Sequence, residues 1–98
     1  MKPTIGRIVV YTLSEHDADC INRRRVARPH EPAWPAGAQA HFGNSVVVGE
    51  AYPMVIVKVW NATMVNGQVL LDGNDVLWVT SVHEGAGPCS WAWPKRET

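Results

Sequence analysis

The residues of this chain best suited to chemistry are arginines that lie close together in the sequence. Arg23, Arg24 and Arg25 are consecutive, and Arg28 follows shortly after. Guanidinium groups match phosphate oxygens in bidentate geometry, so this cluster can hold a phosphorylated ligand. Consecutive residues on a helix do not share one face, so at most two of the three line one site. The competing interpretation is a solvated helix end whose arginines pair with carboxylates.

A second group of polar residues lies in and beside a glycine-bounded loop that starts at Gly37. Gln39, His41 and Asn44 offer amide and imidazole groups that can read base edges or other polar ligand atoms. Gly37 and Gly43 permit close backbone approach. The alternative is a packed loop whose polar groups satisfy its own backbone. The length of the connection favours a functional loop.

Tryptophan dominates the aromatic residues, with five Trp against two Tyr and one Phe. Trp60, Trp78, Trp91 and Trp93 lie on or beside predicted strands, where we expect most of them to pack in the core or at a barrel mouth. Trp34 lies in a proline-rich loop. Trp34, together with Trp93 at the mouth, is therefore predicted to stack on a ligand or partner.

Metal binding and catalysis have weak signatures in the sequence. His16 and Cys20 are four residues apart on a predicted helix and can face one ion, but the paired C-x-x-C elements typical of structural zinc are missing. No nucleophile motif supports a catalytic set, and the sequence at 85–87 lacks the Lys and the following helix of a phosphate loop. We predict that the protein is not an enzyme and uses no metal or cofactor.

The elements that must position these residues are mainly β-strands. β-Branched and aromatic runs predict strands at 5–13, 52–60, 65–71, 76–82 and 90–93. The near-continuous apolar run of the second strand indicates that both of its faces are covered. We place the turn between the second and third strands at 61–63, although Asn66-Gly67 is itself a strong hairpin signal.

A helix and a long loop interrupt these strands after the first one. The sequence from Ser14 to Asp17 fits a capping box, and a helix is expected from Glu15 to about Val26. Ala18 and Ile21 share one face of it. Three prolines in the following segment exclude regular structure, so we expect a loop there. The predicted fold is mainly β: a small SH3-like barrel of about five strands with one short helix and this long loop.

Composition limits the classes of function. Ninety-eight residues make one domain, 1–98, with the helix and loop inserted at about 14–45. Nine basic residues balance nine acidic ones, which argues against general nucleic-acid binding. Cys20 and Cys89 are far apart, and no apolar run is long enough to span a bilayer. We therefore expect a cytosolic protein with reduced thiols and no membrane partner.

Four segments carry a resemblance to a known family: KPTIGRIV at 2–9, INRRR at 21–25, GAQAHFGN at 37–44 and WAWP at 91–94. Together they resemble a family of small proteins from tailed phages and prophages. The resemblance covers nearly the whole chain and implies a phage origin and the cytoplasm of an infected bacterium, but no catalytic residue. The chain departs from the family pattern at Gly67, where a bulkier residue is expected, and at Val10, where a polar residue is usual.

The functional hypothesis is a non-enzymatic protein that sequesters a small anionic, nucleotide-like ligand, such as a signal of host defence. The residues predicted to bind it are Arg7, Arg23, Arg24 and Arg25 for phosphates, Trp34 or Trp93 for stacking, and Gln39, His41 and Asn44 for polar edges. A binder this small is expected to form a homo-oligomer that encloses its ligand. The alternatives are a virion or assembly component that acts through protein contacts and a small enzyme acting on nucleotides.

Overall fold

The computed structural model describes residues 1–27 and 43–95. Within them the elements follow in the order β1 (Ile8–Thr12), α1 (Glu15–Ala27), β2 (Ala51–Val59), β3 (Met64–Leu70), β4 (Val76–Glu84) and β5 (Ser90–Ala92). Each predicted strand is present with ends shifted by up to three residues, and the predicted helix is confirmed. Most of the predicted long loop, together with Arg28, Trp34, Gln39 and His41, lies outside the described residues.

The five strands form a closed barrel in the order β1-β2-β3-β4-β5. Sequential neighbours from β1 to β4 pair antiparallel, β5 pairs antiparallel with β1, and β4 pairs parallel with β5. Closure removes the unpaired edges that a small sheet otherwise exposes. The predicted fold class, a small SH3-like barrel with one short helix, is confirmed.

The barrel interior is filled by side chains that alternate with outward-facing ones along each strand. Val9, Met54, Val69 and Leu77 stand opposite one another across β1 to β4, and all four are buried. Because side chains alternate with a period of two, this inward row also fixes which residues face out. The outward side of β2 is only partly covered, since Pro53 and Val57 are exposed and Val55 is half-buried. The expectation that both faces of this strand are covered is therefore wrong.

Of the four tryptophans on or beside the strands, one is buried, one is half-buried and two are exposed, so the expectation that most of them pack in the core or at a barrel mouth is wrong for two. Trp91 is fully buried, and its Nε1–H donates to the carbonyl oxygen of Thr63 at 3.0 Å. Trp93 is half-buried and meets Trp91 edge-on, with ring centroids 5.4 Å apart. Trp60 and Trp78 are 51% and 62% exposed, so these two do not pack in the core.

Helix α1 begins with the reciprocal capping bonds that the sequence predicts. The Ser14 Oγ atom accepts from the backbone N–H of Asp17 at 3.1 Å, and Asp17 Oδ2 accepts from the backbone N–H of Ser14 at 3.0 Å. The same Oδ2 atom accepts the hydroxyl of Tyr11 on β1 at 2.6 Å. Buried Ala18 and Ile21 join the barrel core. Among the described residues, no helix is long and apolar enough to cross a bilayer.

The connection between β2 and β3 spans residues 60–63, so Asn66 and Gly67 lie inside β3. The pairing register shifts on both sides of β3 beside Asn66. Against β2 the shift lies between Ile56 and Lys58. Against β4 it lies between Val82, which pairs with Val65, and Val79, which pairs with Gly67. The β4 irregularity contains Ser81, whose φ of 53° is in the left-handed region. Two β-bulges therefore flank the Asn66-Gly67 dipeptide.

Candidate functional site

The end of helix α1 brings two of the three consecutive arginines to one carboxylate. The Nη1 atoms of Arg24 and Arg25 both donate to Asp75 Oδ2, at 3.1 and 2.9 Å. Arg23 is exposed and forms no ion pair within residues 1–27 and 43–95. Two of the three arginines thus share a site and the third does not, which agrees with the expectation that at most two of them line one site. The pairing with a carboxylate is what the competing interpretation of this cluster predicts.

Electrostatics at Asp75 follow from these two cations. Burial by itself would raise the pKa of the Asp75 carboxyl, but the hydrogen bonds from Arg25 and Arg24 outweigh it and hold the pKa below its ordinary value of 3.8. The side chain of Arg25 is 10% exposed, against 40% for Arg24. Arg25 is therefore the more buried of the two arginines, and the Asp75 carboxylate largely compensates its charge inside the protein.

Two glycines make room for the Arg25 guanidinium. A Cβ atom on Gly43 would lie 2.6 Å from Cζ of Arg25, and one on Gly73 would lie 2.8 Å from the Cα of Gly43. Gly43 therefore allows close approach, as predicted, but to a side chain of the same protein. Within the described part of the chain, the buried Nη2 atom of Arg25 and Oδ1 atom of Asp75 have no hydrogen-bond partner.

Asn44 joins this cluster through both its backbone and its side chain. Its carbonyl oxygen accepts from Nε of Arg25 at 3.1 Å, and its Nδ2 atom donates to Asp72 Oδ2 at 2.6 Å. Its backbone N–H also donates to the carbonyl oxygen of Asp72 at 2.9 Å. These bonds hold the segment that starts at Gly43 against the β3–β4 turn. Asn44, predicted to read a ligand edge, here uses its amide nitrogen within the fold.

A second pairing of predicted site residues lies outside this cluster. The Cζ atom of Arg7 lies 5.8 Å from the ring centroid of Trp93. Arg7 is exposed, and within the described residues it forms no ion pair. Trp93 is held in turn by its edge-on contact with the buried Trp91. The cation–π contact therefore places a guanidinium that has no ion pair within the described residues beside a ring that packs on the core.

Five of the six predicted site residues that the structure describes fall into two groups at different ends of the barrel, and exposed Arg23 belongs to neither. The backbone of Arg7 pairs with Ile56, toward the end of β2, whereas Asp75 lies in the turn beside Leu70 and Val76 at the other end of the sheet. Arg7 and Trp93 form one group, and Arg24, Arg25 and Asn44 form the other. Trp34, Gln39 and His41 lie outside the described residues.

A third cationic contact resembles the Arg7 pair and provides a comparison. The Nζ atom of Lys58 lies 4.4 Å from the ring centroid of Trp60. Trp60 also donates its Nε1–H to Asn66 Oδ1 at 2.9 Å, so its ring is oriented by the fold. Lys carries a compact charge without the planar fork of Arg, and it binds phosphate without bidentate geometry.

The two residues considered for metal binding, His16 and Cys20, are close together in the structure. His16 Nε2 and Cys20 Sγ lie 3.6 Å apart on α1, as their spacing predicts. Among residues 1–27 and 43–95, however, no three His, Cys, Asp or Glu side chains are grouped so that they could hold a metal ion. Cys20 and Cys89 are both free thiols.

Sequence reasoning missed two residues that organise these regions. Asp75 lies between the predicted third and fourth strands, and its partners Arg24 and Arg25 are about fifty positions away in the chain. Asn66 was considered only as a turn signal. Neither role has a local sequence pattern, because both depend on contacts between elements distant in sequence.

Comparisons with protein-family models, with curated proteins and with solved structures found no match. The resemblance to phage proteins therefore stays a prediction from the four segments that carry it.

Proposed function

We propose that this protein is a non-enzymatic binding protein for a small anionic, nucleotide-like ligand, and that Arg7 and Trp93 hold the ligand. The observation that carries the proposal is the exposed guanidinium of Arg7, 5.8 Å from the Trp93 ring centroid and without an ion-pair partner among the described residues. Arg24 and Arg25, by contrast, already share the Asp75 carboxylate. Arg7 is thus better placed than the helix arginines to bind an external anion.

The chemistry of this pair suits a nucleotide. A guanidinium that lies on an aromatic ring keeps its N–H donors directed outward in its own plane, where they can take a phosphate in bidentate geometry. Bases stack both on aromatic rings and on guanidinium planes. The edge-on contact between Trp93 and buried Trp91 pre-orients the platform, which lowers the entropy cost of binding.

The phage resemblance supplies the setting of the proposal. In the cytoplasm of an infected bacterium, a protein that binds such a ligand without converting it would withdraw a defence signal from its receptor. Arg23, which is exposed on α1 and unpaired within the described residues, provides a second cation of the same chemistry.

Calorimetric titration with mono-, cyclic and oligonucleotides tests the proposal, with Arg7→Gln as the first variant. We expect saturable heat with at least one ligand, and a loss of about tenfold to a hundredfold in affinity when the charged hydrogen bonds of Arg7 are removed. Lys58→Gln is the matched control, since it removes one charge from the other cation–π pair and should leave affinity unchanged.

Two results would contradict the proposal. The first is the absence of heat with every nucleotide at concentrations well above micromolar. The second is an equal loss of affinity in the Arg7 and Lys58 variants, which would reveal only general charge attraction. Product analysis after prolonged incubation checks the non-enzymatic part, and any turnover of a nucleotide would refute it.

A second candidate function is favoured by the exposure of Trp60, a residue that is 51% exposed and has Lys58 over its ring. Tryptophans of this kind are common anchors of protein interfaces. We propose, as the alternative, a virion or assembly component that binds other phage proteins. Mass spectrometry of purified virions separates the two, because a sequestering protein should be absent from the particle.

A further inference from the structure

His16 and Cys20 form a pair on α1 that neither the Arg7–Trp93 contact nor the Asp75 cluster uses. Cys20 Sγ lies 3.6 Å from His16 Nε2, within the reach of a hydrogen bond that a thiol donates. Residues four apart on a helix lie one above the other on the same face. A thiol with an imidazole at this distance has the arrangement of a nucleophile and its base.

The pair is open to small molecules and has a cation beside it. His16 is exposed and Cys20 is half-buried, so a small reagent can reach the sulfur in the folded protein. Arg23 follows Cys20 by three residues on the helix, is exposed, and has no ion pair within residues 1–27 and 43–95. Cations near a cysteine favour the thiolate, which is the form that reacts. Arg23 also attracts reagents that carry negative charge.

Two acidic residues of the same helix lie near Cys20 in the sequence. The Asp17 carboxylate is buried, and its Oδ2 atom accepts from the Tyr11 hydroxyl and from the backbone N–H of Ser14. Its charge is therefore satisfied on the barrel side of α1. Asp19 is exposed, where solvent and salt screen its charge. The contact nearest to the sulfur is the imidazole of His16.

We propose that Cys20 is a modification site, at which the thiol exchanges with a small disulfide that carries carboxylates. His16 takes the proton from Cys20 Sγ, and the thiolate attacks one sulfur of the reagent. A new S–S bond to Cys20 forms as the S–S bond of the reagent breaks, and the departing thiolate takes up the proton. Cys20 is thereby oxidised to a mixed disulfide, one half of the reagent is reduced to a thiol, and a second exchange reverses the step.

Cys89 is the comparison within the same molecule. It is exposed, more so than Cys20, so access alone would make it the more reactive thiol. Its surroundings have the opposite charge, because Cys89 lies beside the Tyr11 hydroxyl that is bound to the Asp17 carboxylate. A thiolate at Cys89 would face that negative charge, whereas a thiolate at Cys20 would lie beside His16 and near Arg23.

Incubation of the full chain with oxidised glutathione at neutral pH tests the proposal. Samples are quenched in acid and digested, and peptide mass spectrometry gives the modified fraction of Cys20 and of Cys89 against time. We expect Cys20 to react about tenfold faster than Cys89 despite its lower exposure. In urea the two rates should converge, because the helix that sets the spacing of His16 and Cys20 is lost.

His16→Gln keeps a polar side chain at an exposed position but cannot take the proton, so it should slow the reaction at Cys20 about tenfold and leave Cys89 unchanged. Its melting temperature shows whether the fold is kept. His83→Gln, which removes an exposed imidazole from β4, is the matched control and should leave the rate at Cys20 unchanged. Arg23→Gln should slow the reaction with oxidised glutathione about twofold to threefold, but not the reaction with uncharged bis(2-hydroxyethyl) disulfide.

Three results would overturn the proposal. The first is a folded chain in which Cys20 reacts no faster than Cys89, or does not react. The second is a folded His16→Gln variant that reacts at the unmodified rate, or a His83→Gln variant that is slowed as much. The third, equal slowing of both reagents by Arg23→Gln, would refute the preference for carboxylates. None of these measurements depends on nucleotide binding.

Discussion

The Oδ1 atom of Asn66 accepts the indole Nε1–H of Trp60 at 2.9 Å and, on its other side, the backbone N–H of Ser81 at 2.7 Å. One buried side chain therefore ties the β2–β3 connection to the bulge in β4. This explains why a dipeptide that favours hairpin turns lies inside a strand: the Asn66 side chain bonds to the β2–β3 connection and to β4 instead of to its own backbone.

Replacement of Asn66 by alanine should destabilise the fold strongly. The change removes the acceptor of two hydrogen bonds, one of them to the left-handed Ser81, and leaves partly buried donors unsatisfied. We expect a loss of about 2–4 kcal/mol in the free energy of unfolding. Urea denaturation followed by tryptophan fluorescence measures it. Asn74→Ala, at an exposed turn residue, should cost little, and equal losses in both variants would contradict the assigned role.

Gly67 is required by the position of Met54. A Cβ atom on Gly67 would overlap the Cγ and Sδ atoms of Met54, which is fully buried. Gly67→Ala should therefore cost about 1–3 kcal/mol through overpacking.

A double-mutant cycle distinguishes this steric cause from a general loss of strand structure. Met54→Ala creates space beside Gly67, so the double variant should be less destabilised than the sum of the two single losses. Gly87→Ala serves as control, because no atom lies within 4 Å of its would-be Cβ. Strict additivity of the Gly67 and Met54 losses would refute the overlap.

The hydroxyl of Tyr11 should contribute to stability through Asp17. Burial, and then the hydrogen bond to Asp17, raise the pKa of Tyr11 far above its ordinary value of 10.0, so the hydroxyl stays protonated and donating. Tyr11→Phe should cost about 1.5–3 kcal/mol, the value typical of a hydrogen bond to a charged group. Thermal unfolding measures the loss. Tyr52→Phe, whose hydroxyl meets Glu50 at 3.4 Å on the surface, should have a much smaller effect.

Acid should weaken the contact between α1 and the β3–β4 turn. The folded-state pKa of Asp75 lies below its unfolded value of 3.8, so the folded state binds fewer protons around that pH. The stabilisation is complete above pH 3.8 and is lost as the pH falls through the lower folded-state pKa. Asp75→Asn should cost about 1–2 kcal/mol at neutral pH, with allowance for solvent screening at Arg24.

Urea denaturation at neutral and strongly acidic pH measures this dependence. The stability gap between the unmodified chain and Asp75→Asn should narrow in acid, because the carboxyl is then protonated in both states of the unmodified chain. Asp19→Asn, at an exposed residue of α1, removes the same charge without the ion pair and should show no such gap. A gap at Asp75 that is constant with pH would contradict the ion pair's contribution.

Local sequence patterns predicted most of the secondary structure. The capping box at Ser14 and Asp17 and the β-branched runs of β1 to β4 depend on neighbours in the chain, so propensity and alternation were sufficient. The candidate site was predictable only in residue type. The sequence offered Arg7, Arg24, Arg25 and Trp93 as candidates, but the contact of Arg7 with Trp93 and the pairing of Asp75 with both helix arginines are set by which elements meet in the fold.

The sequence by itself determined the class of fold and the start of the helix, because strand propensity, alternation and the capping box follow from interactions over a few residues. Tertiary structure alone decided which arginines are compensated. Arg24 and Arg25 meet Asp75 because α1 packs beside the β3–β4 turn, whereas Arg7 meets Trp93 because β5 pairs with β1. Closure of the barrel likewise decided that Trp91 is buried and Trp78 exposed, since it sets which face of each strand turns inward.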